Sequence, residues 1–244
     1  MIDPWSKNIT SRCVMDKVKR ETRWGLLAIP QYRRKEFDQL VPKLNFEVVE
    51  QEISEVEERL QRVLGAMLGS FEFNRRTLKK AINYGFNGDF SGFSYHEMET
   101  DQGFDQNEFR DTVEALYYTN KVIDLFGPDF DVDSSLSVIA ILNAVSARCV
   151  LDRYKLDGIE GHLSIQEVSL LARMSVASVR NAAASSSANP LATLKHEDGS
   201  TIVMAGEAER WLTNRRGFQA TTLPSDEQER KALSDALELW VFMP

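Results

Sequence analysis

Cysteine and histidine are scarce in this sequence, and their scarcity excludes several classes of protein. The two cysteines, Cys13 and Cys149, lie far apart and form no metal-ligand motif. This argues against a disulfide-stabilised secreted domain and predicts a reducing, cytoplasmic location. The three histidines are isolated, and no motif of a nucleophilic, paired-carboxylate or zinc-dependent enzyme is present. We therefore expect no catalytic residues, no metal, no cofactor and no enzymatic activity.

Long uninterrupted hydrophobic runs are also absent. The most apolar stretch, residues 136–151, is broken by Ser137, Asn143, Ser146 and Arg148 and is shorter than a membrane span requires. The first residues lack the apolar segment of a signal peptide. The sequence therefore predicts a protein that does not contact membranes, in which residues 136–151 form a buried helix.

An excess of basic charge is missing as well, which bears on nucleic-acid binding. The chain carries 29 basic and 37 acidic side chains and has a formal net charge of −8. The acidic excess lies mainly in residues 46–159, whereas residues 160–220 carry six side chains of each sign. Basic side chains cluster at residues 17–23 and 33–35, where they form either a DNA-contacting arm or, as we favour, a solvated helix face or a partner for the acidic middle of the chain. A neutral module binds DNA weakly and in a salt-sensitive way, so a dimer presenting two modules would help.

Helical periodicity dominates the first two thirds of the chain. Over residues 46–70 hydrophobic residues recur every three or four positions, with glutamates on the other faces. This stripe predicts either a coiled-coil dimer or one helix of a bundle, and the sequence does not separate the two. Shorter helices are predicted over residues 74–84 and 105–126, and the region around His96 and Asp101 is predicted to be a polar loop.

Residues 163–184 contain the most informative pattern, two short helices joined by a tight turn. Ser164 and Glu167 form a capping box that begins the first helix, and Ser175 is placed to cap the second. Apolar residues at helical spacing face inward, while Arg180 and Asn181 face outward near the start of the second helix. Arginine and asparagine in such places bond guanine and adenine edges in the major groove. The pattern predicts a helix-turn-helix.

A β-hairpin and a further helix are predicted directly after this pair. Residues 191–196 and 200–204 resemble strands and flank the turn triplet Glu197-Asp198-Gly199. One face of the next helix is apolar and includes Trp211. Helix, turn, helix, hairpin and helix is the order of a winged helix-turn-helix.

The segment from Leu163 to Phe218 resembles the excisionase/MerR-like class of winged DNA-binding domains. In that class an opening such as L-S-I-Q-E-V, here residues 163–168, starts the first helix, and A-x-x-W-L-x-x-R, here residues 208–215, follows the wing. The resemblance implies a prokaryotic protein whose partner is double-stranded DNA. Two positions depart from the class: Arg173 stands where the turn often has glycine, and the wing tip is acidic at Glu197-Asp198.

Together these patterns predict the fold, the domains and the site. The fold class is mainly α: an N-terminal helical bundle (residues 1–157) that is acidic and expected to form a homodimer, a winged helix-turn-helix with a small β-hairpin (158–222), and a C-terminal amphipathic helix (223–244). That last helix is expected to begin at a capping box of Ser225 and Gln228 and to pack back on the bundle or on a second subunit. Candidate base contacts are Arg180 and Asn181. The other candidate DNA contacts are Ser175, Ala177, Ser178, Lys195, Arg210, Arg215 and Arg216.

The expected function is sequence-specific binding of double-stranded DNA, by a transcriptional regulator or by an accessory protein of a mobile element. One alternative is a winged helix that holds a protein partner, because the same fold serves both purposes. Another is a sensor whose N-terminal bundle binds an unidentified effector.

Overall fold

The computed structural model describes residues 29, 33–68, 73–97, 101–104, 108, 111, 112, 115, 135–184, 189–197 and 199–241. The elements with described bounds are eight α-helices, two short 3-10 helices, a two-stranded hairpin and a three-stranded antiparallel sheet. The predicted mainly α class is therefore confirmed. The basic cluster at residues 17–23 lies outside the described residues, as does most of the predicted helix 105–126.

The elements follow one another in chain order. Helices α1 (Arg34–Leu40), α2 (Phe46–Leu68) and α3 (Arg75–Asn87) precede the hairpin of β1 (Ser94–Glu97) and β2 (Asp101–Phe104), and the long helix α4 (Leu136–Asp157) comes next. Strand β3 (His162–Ser164) leads into helices α5 (Ile165–Ala172) and α6 (Val176–Ala182). Strands β4 (Leu194–Lys195) and β5 (Thr201–Met204) are followed by α7 (Ala205–Leu212) and α8 (Glu227–Val241).

Helix α4 lies at the centre of the fold and is buried on almost every side, as its sequence predicts. Its buried residues run from Leu136 to Asp152 with only two interruptions, at Asn143 and Val150. A helix that is apolar all round must be covered all round, which explains why other elements surround α4. Its N-terminus is closed by a carboxylate of α2, because Glu52 accepts hydrogen bonds from the Ser135 hydroxyl (2.7 Å) and the Ser137 backbone N–H (3.2 Å).

Two hydrophobic clusters share α4. The first contains buried residues of α1 to α4 and of α8, such as Phe37, Ile53 and Leu237. Since Val49 and Ile53 are fully buried within one chain, this half of the α2 stripe forms the core of a bundle. The second cluster joins the C-terminal half of α4 to the sheet and to α5, α6 and α7, with Trp211 in it.

Three local predictions are wrong in detail. The region around His96 and Asp101 is not a loop, because the backbones of β1 and β2 pair there as antiparallel strands, with His96 opposite Gln102 and Glu97 opposite Asp101. Strand β3 pairs with β5, and Leu163 lies opposite Val203. The sheet therefore has three strands where the sequence predicts two. Asp226 replaces Ser225 as the cap of α8, because its Oδ1 accepts from the N–H groups of residues 228 (2.9 Å) and 229 (3.0 Å).

Two glycines that end helices offer a matched pair of substitutions. Gly88 ends α3 at φ 65°, and Gly158 ends α4 at φ 66°. A Cβ on Gly88 would lie 2.9 Å from the backbone of Thr221, whereas a Cβ on Gly158 would meet nothing within 4 Å. Gly158→Ala is therefore expected to cost about 1 kcal/mol for the left-handed backbone alone.

Gly88→Ala is expected to cost about 3 kcal/mol, because the clash with Thr221 adds to the same backbone term. Urea unfolding of both variants measures the two losses. Equal losses would contradict the close packing of residues 220 and 221 on the end of α3.

Candidate nucleic-acid interface

Helices α5 and α6 are held in place by the caps that the sequence predicts. The Ser164 hydroxyl accepts from the Glu167 N–H (3.2 Å), and the Glu167 carboxylate accepts from the Ser164 N–H (2.6 Å), which completes a capping box. The Ser175 hydroxyl accepts from the Ser178 N–H (3.2 Å) at the start of α6. Both predicted caps are confirmed, so the start of each helix is encoded locally.

Arg173 makes the turn between these helices and ties it to the bundle. The residue adopts the left-handed conformation at φ 56°, which is uncommon for a residue other than glycine. Its guanidinium donates to the backbone oxygen of Leu44 and to Asn87 Oδ1 (3.0 Å), and it lies 4.8 Å from the centre of the Phe86 ring. Glycine could supply the backbone conformation but none of these contacts. We conclude that Arg173 fixes the orientation of the helix pair on the bundle.

Helix α6 presents one exposed face. Val179 is fully buried and anchors the helix, whereas Ala177, Ser178, Arg180 and Asn181 are exposed. The Ser178 hydroxyl lies 2.8 Å from that of Ser175, so both hydroxyls are occupied at the helix start. Within the described part of the chain, the Arg180 and Asn181 side chains form no hydrogen bond or ion pair, which leaves them available to a ligand.

The remaining candidate contacts lie on β4 and after β5, in different environments. Lys195 is exposed and donates to the Thr201 hydroxyl (2.9 Å). Arg210 is engaged by both oxygens of Glu207 at 2.7 Å, and this hydrogen bonding lowers the pKa of the Glu207 carboxyl. The Arg215 guanidinium stacks 3.9 Å from the centre of the Trp211 ring. Arg210 and Arg216 are both exposed, but within the described residues only Arg216 of this pair has no hydrogen bond or ion pair.

The tip of the hairpin is described in part. Gly199 takes a positive φ of 83°, and its N–H donates to the His196 carbonyl (2.9 Å). Glu197 is exposed, whereas Asp198 lies outside the described residues. Leu194 on β4 is 55% exposed, so this strand presents one large apolar side chain to solvent.

Helix α1 lies beside α6, a placement that the sequence did not predict. Asp38 of α1 accepts a hydrogen bond from the Val176 N–H (3.4 Å) at the first residue of α6. The two helices border a cleft of about 500 Å³, which Arg34 and Asp38 line from one side and Val176, Arg180 and Ala183 from the other. In the sequence, the basic cluster at residues 33–35 is the one local feature that draws attention to Arg34 as a candidate binding residue. No periodicity specifies which helix α1 contacts.

In comparisons with known proteins, no family model, no curated protein and no solved structure matches the chain. Among the described helices, none has the length and apolar content needed to cross a membrane. The described residues also contain no group of three or more His, Cys, Asp and Glu side chains that could hold a metal ion. The functional interpretation therefore rests on the geometry of α5, α6 and the sheet.

Proposed function

We propose that this protein binds double-stranded DNA in a sequence-specific way, with α6 in the major groove. The observation that carries the proposal is the order β3-α5-α6-β4-β5-α7, in which a capped helix pair is followed by an antiparallel hairpin and a third helix. This is the order of a winged helix-turn-helix, whose second helix reads base edges. The resemblance of residues 163–218 to the excisionase/MerR-like class supports the same proposal.

The exposed side chains of α6 suit the edges of bases. Arginine donates two parallel hydrogen bonds to guanine, whereas asparagine donates one hydrogen bond to the edge of adenine and accepts another from it. Arg180 and Asn181 are adjacent, exposed and unpaired within the described part of the chain. Ala177 lies one turn before Asn181 on the same face, where its small side chain allows the helix to approach the bases closely.

We assign contacts with the DNA backbone to the other candidate residues. Lys195 and Arg216 are exposed and can bind phosphates directly. Ser175, Ser178, Arg210 and Arg215 already have partners in the protein, so they contribute through a shared hydrogen bond or by exchanging a partner. Residues 160–220 have no net charge, so two copies of the module in a homodimer would strengthen binding. A transcriptional regulator or an accessory protein of a mobile element would use such a module.

The direct test is the salt dependence of binding to duplex DNA. Fluorescence anisotropy with the full chain and a labelled mixed-sequence duplex of about three helical turns should show binding that weakens as salt is raised, because phosphate contacts release counterions. If the folded protein binds no duplex even at low salt, the proposal is wrong, and the interaction of the same surface with a protein partner becomes the better account.

Replacement of Arg180 by Ala tests the base contact itself. We expect a loss of about 1–3 kcal/mol for the preferred sequence and relaxed preference at one base pair, because the guanidinium bonds a base edge. Arg76→Ala is the matched control, since Arg76 is an exposed arginine on α3. An equal loss for every sequence would assign Arg180 to a phosphate, and no loss would remove it from the interface.

A further inference from the structure

We infer that the cleft between α1 and α6 binds a small organic monoanion with an apolar body, such as an aromatic or branched monocarboxylate. The cleft lies where the bundle meets the helix pair, and its volume of about 500 Å³ is within the range of small-molecule sites. Its lining combines apolar and polar side chains of α1, α5 and α6 with Ser164 and Thr201 of the sheet.

The apolar part of the lining determines the body of the ligand. The half-buried Val176 and Ala183 form the accessible apolar wall, and Ile29, Phe37 and Ile165, which are at most 8% exposed, lie behind them in the hydrophobic clusters. A bare inorganic ion would leave this surface in contact with water, whereas a hydrocarbon or aromatic group would cover it. The wall therefore favours an organic molecule over free phosphate.

The charged part of the lining determines the head group. Arg34 and Arg180 reach the cleft from opposite helices, and neither side chain has a hydrogen bond or an ion pair within the described part of the chain. Asp38 is the one acidic side chain in the described lining, and its Oδ1 accepts the Val176 N–H. Two guanidiniums and one carboxylate leave a single net positive charge, which one carboxylate neutralises, whereas a dianion would be opposed by Asp38.

Occupation of the cleft has a consequence for DNA, which rests on the proposed function. Residues 176, 180 and 183 face the cleft at helical spacing, and Arg180 lies at the border between the cleft and the exposed face of α6. A carboxylate held by Arg180 removes that guanidinium from the base it would read. The small molecule and the specific DNA site are therefore expected to compete for one side chain.

The ligand is tested with pairs of probes that have nearly the same size and shape, of which one is an anion and the other is neutral. Phenylacetate and benzoate are compared with phenylacetamide and benzamide by isothermal titration and ligand-observed NMR on the full chain. We expect the carboxylates to bind at least about tenfold more tightly than the amides, because the difference is a charge-assisted hydrogen bond to arginine. Equal affinity of acids and amides, or no binding of either at millimolar concentration, would overturn the inference.

Two variants locate the binding within the cleft. Arg34→Gln/Arg180→Gln should weaken phenylacetate binding by about tenfold or more, whereas Arg76→Gln should leave it unchanged. Ala183→Leu should narrow the cleft beside Arg180 and weaken binding while both arginines remain. Unchanged affinity in both cleft variants would place the anion elsewhere and contradict the inference. Because these readouts contain no DNA, failure of DNA binding and failure of the ligand site remain distinguishable.

Discussion

Replacement of Arg148 by Met is expected to lower the free energy of unfolding by about 3–5 kcal/mol, because it leaves buried acceptors without their donor. Arg148 is completely buried in α4. Its guanidinium donates to the carbonyls of Gly85 (3.3 Å) and Phe86 (3.4 Å) near the C-terminus of α3 and to the carbonyl of Gln219 (2.8 Å). One buried cation thus joins α3, α4 and the segment that follows α7.

The charge of Arg148 is balanced mainly by these carbonyls and by Asp152. Burial lowers the pKa of Arg148, and the negative charge of Asp152 acts in the opposite direction. Burial also raises the pKa of the Asp152 carboxyl, whose Oδ2 accepts from the Tyr84 hydroxyl (2.9 Å), while the Arg148 charge lowers it. Removal of the guanidinium therefore also takes from the buried Asp152 carboxyl the main positive charge that favours its ionised form, which adds to the loss.

Urea unfolding followed by far-UV circular dichroism measures this loss. Arg76→Met is the control, because it removes an exposed arginine from α3 and should change stability by less than about 0.5 kcal/mol. A loss below about 1 kcal/mol for Arg148→Met would show that water or rearranged side chains satisfy the carbonyls, and our account of the joint between α3 and α4 would be wrong.

Replacement of Trp211 by Ala is expected to cost about 3–5 kcal/mol as well, through a different mechanism. The indole is fully buried in the second hydrophobic cluster, between the sheet and the helix pair. Its Nε1–H donates to the Asn189 carbonyl (3.3 Å), and the Arg215 guanidinium covers the ring. Alanine leaves a large cavity and an unpaired carbonyl, and it takes the stacking partner away from Arg215.

Thermal unfolding of Trp211→Ala and Trp211→Phe separates volume from hydrogen bonding. The Phe variant keeps most of the ring volume and should lose less than half as much stability as the Ala variant. Since α5 and α6 rest on this cluster, the Ala variant should also lose the proposed DNA binding at a lower temperature than the wild type. Equal losses for the two variants would assign the effect to the hydrogen bond instead of the packing.

The features that the sequence predicts correctly are those specified within a few residues. The Ser164–Glu167 box, the Ser175 cap and the burial of α4 follow from capping chemistry and from the apolar content of residues 136–151. The inward face of α7 also follows, because Ala208, Trp211 and Leu212 are buried at helical spacing.

The features that the sequence does not predict depend on distant partners. Strand β3 is three residues long and is stabilised by pairing with β5, some 40 residues later in the chain. The role of Arg173 likewise depends on Leu44 and Asn87, which the turn sequence cannot reveal. The cleft beside α6 exists because α1 contacts the helix pair, so Arg34 and Asp38 could not be assigned to the site in advance.

Selection of bound duplexes from a random pool at moderate salt shows whether α6 reads DNA sequence. The selection is run with the wild type, with Arg180→Ala/Asn181→Ala and with Arg76→Ala as the matched control. We expect the wild type and the control to enrich one motif, which in a homodimer is a palindrome with half-sites about one helical turn apart, and we expect the double variant to lose it. Enrichment of the same motif by the double variant, or no enrichment by folded wild-type protein even at low salt, would show that α6 does not read DNA sequence.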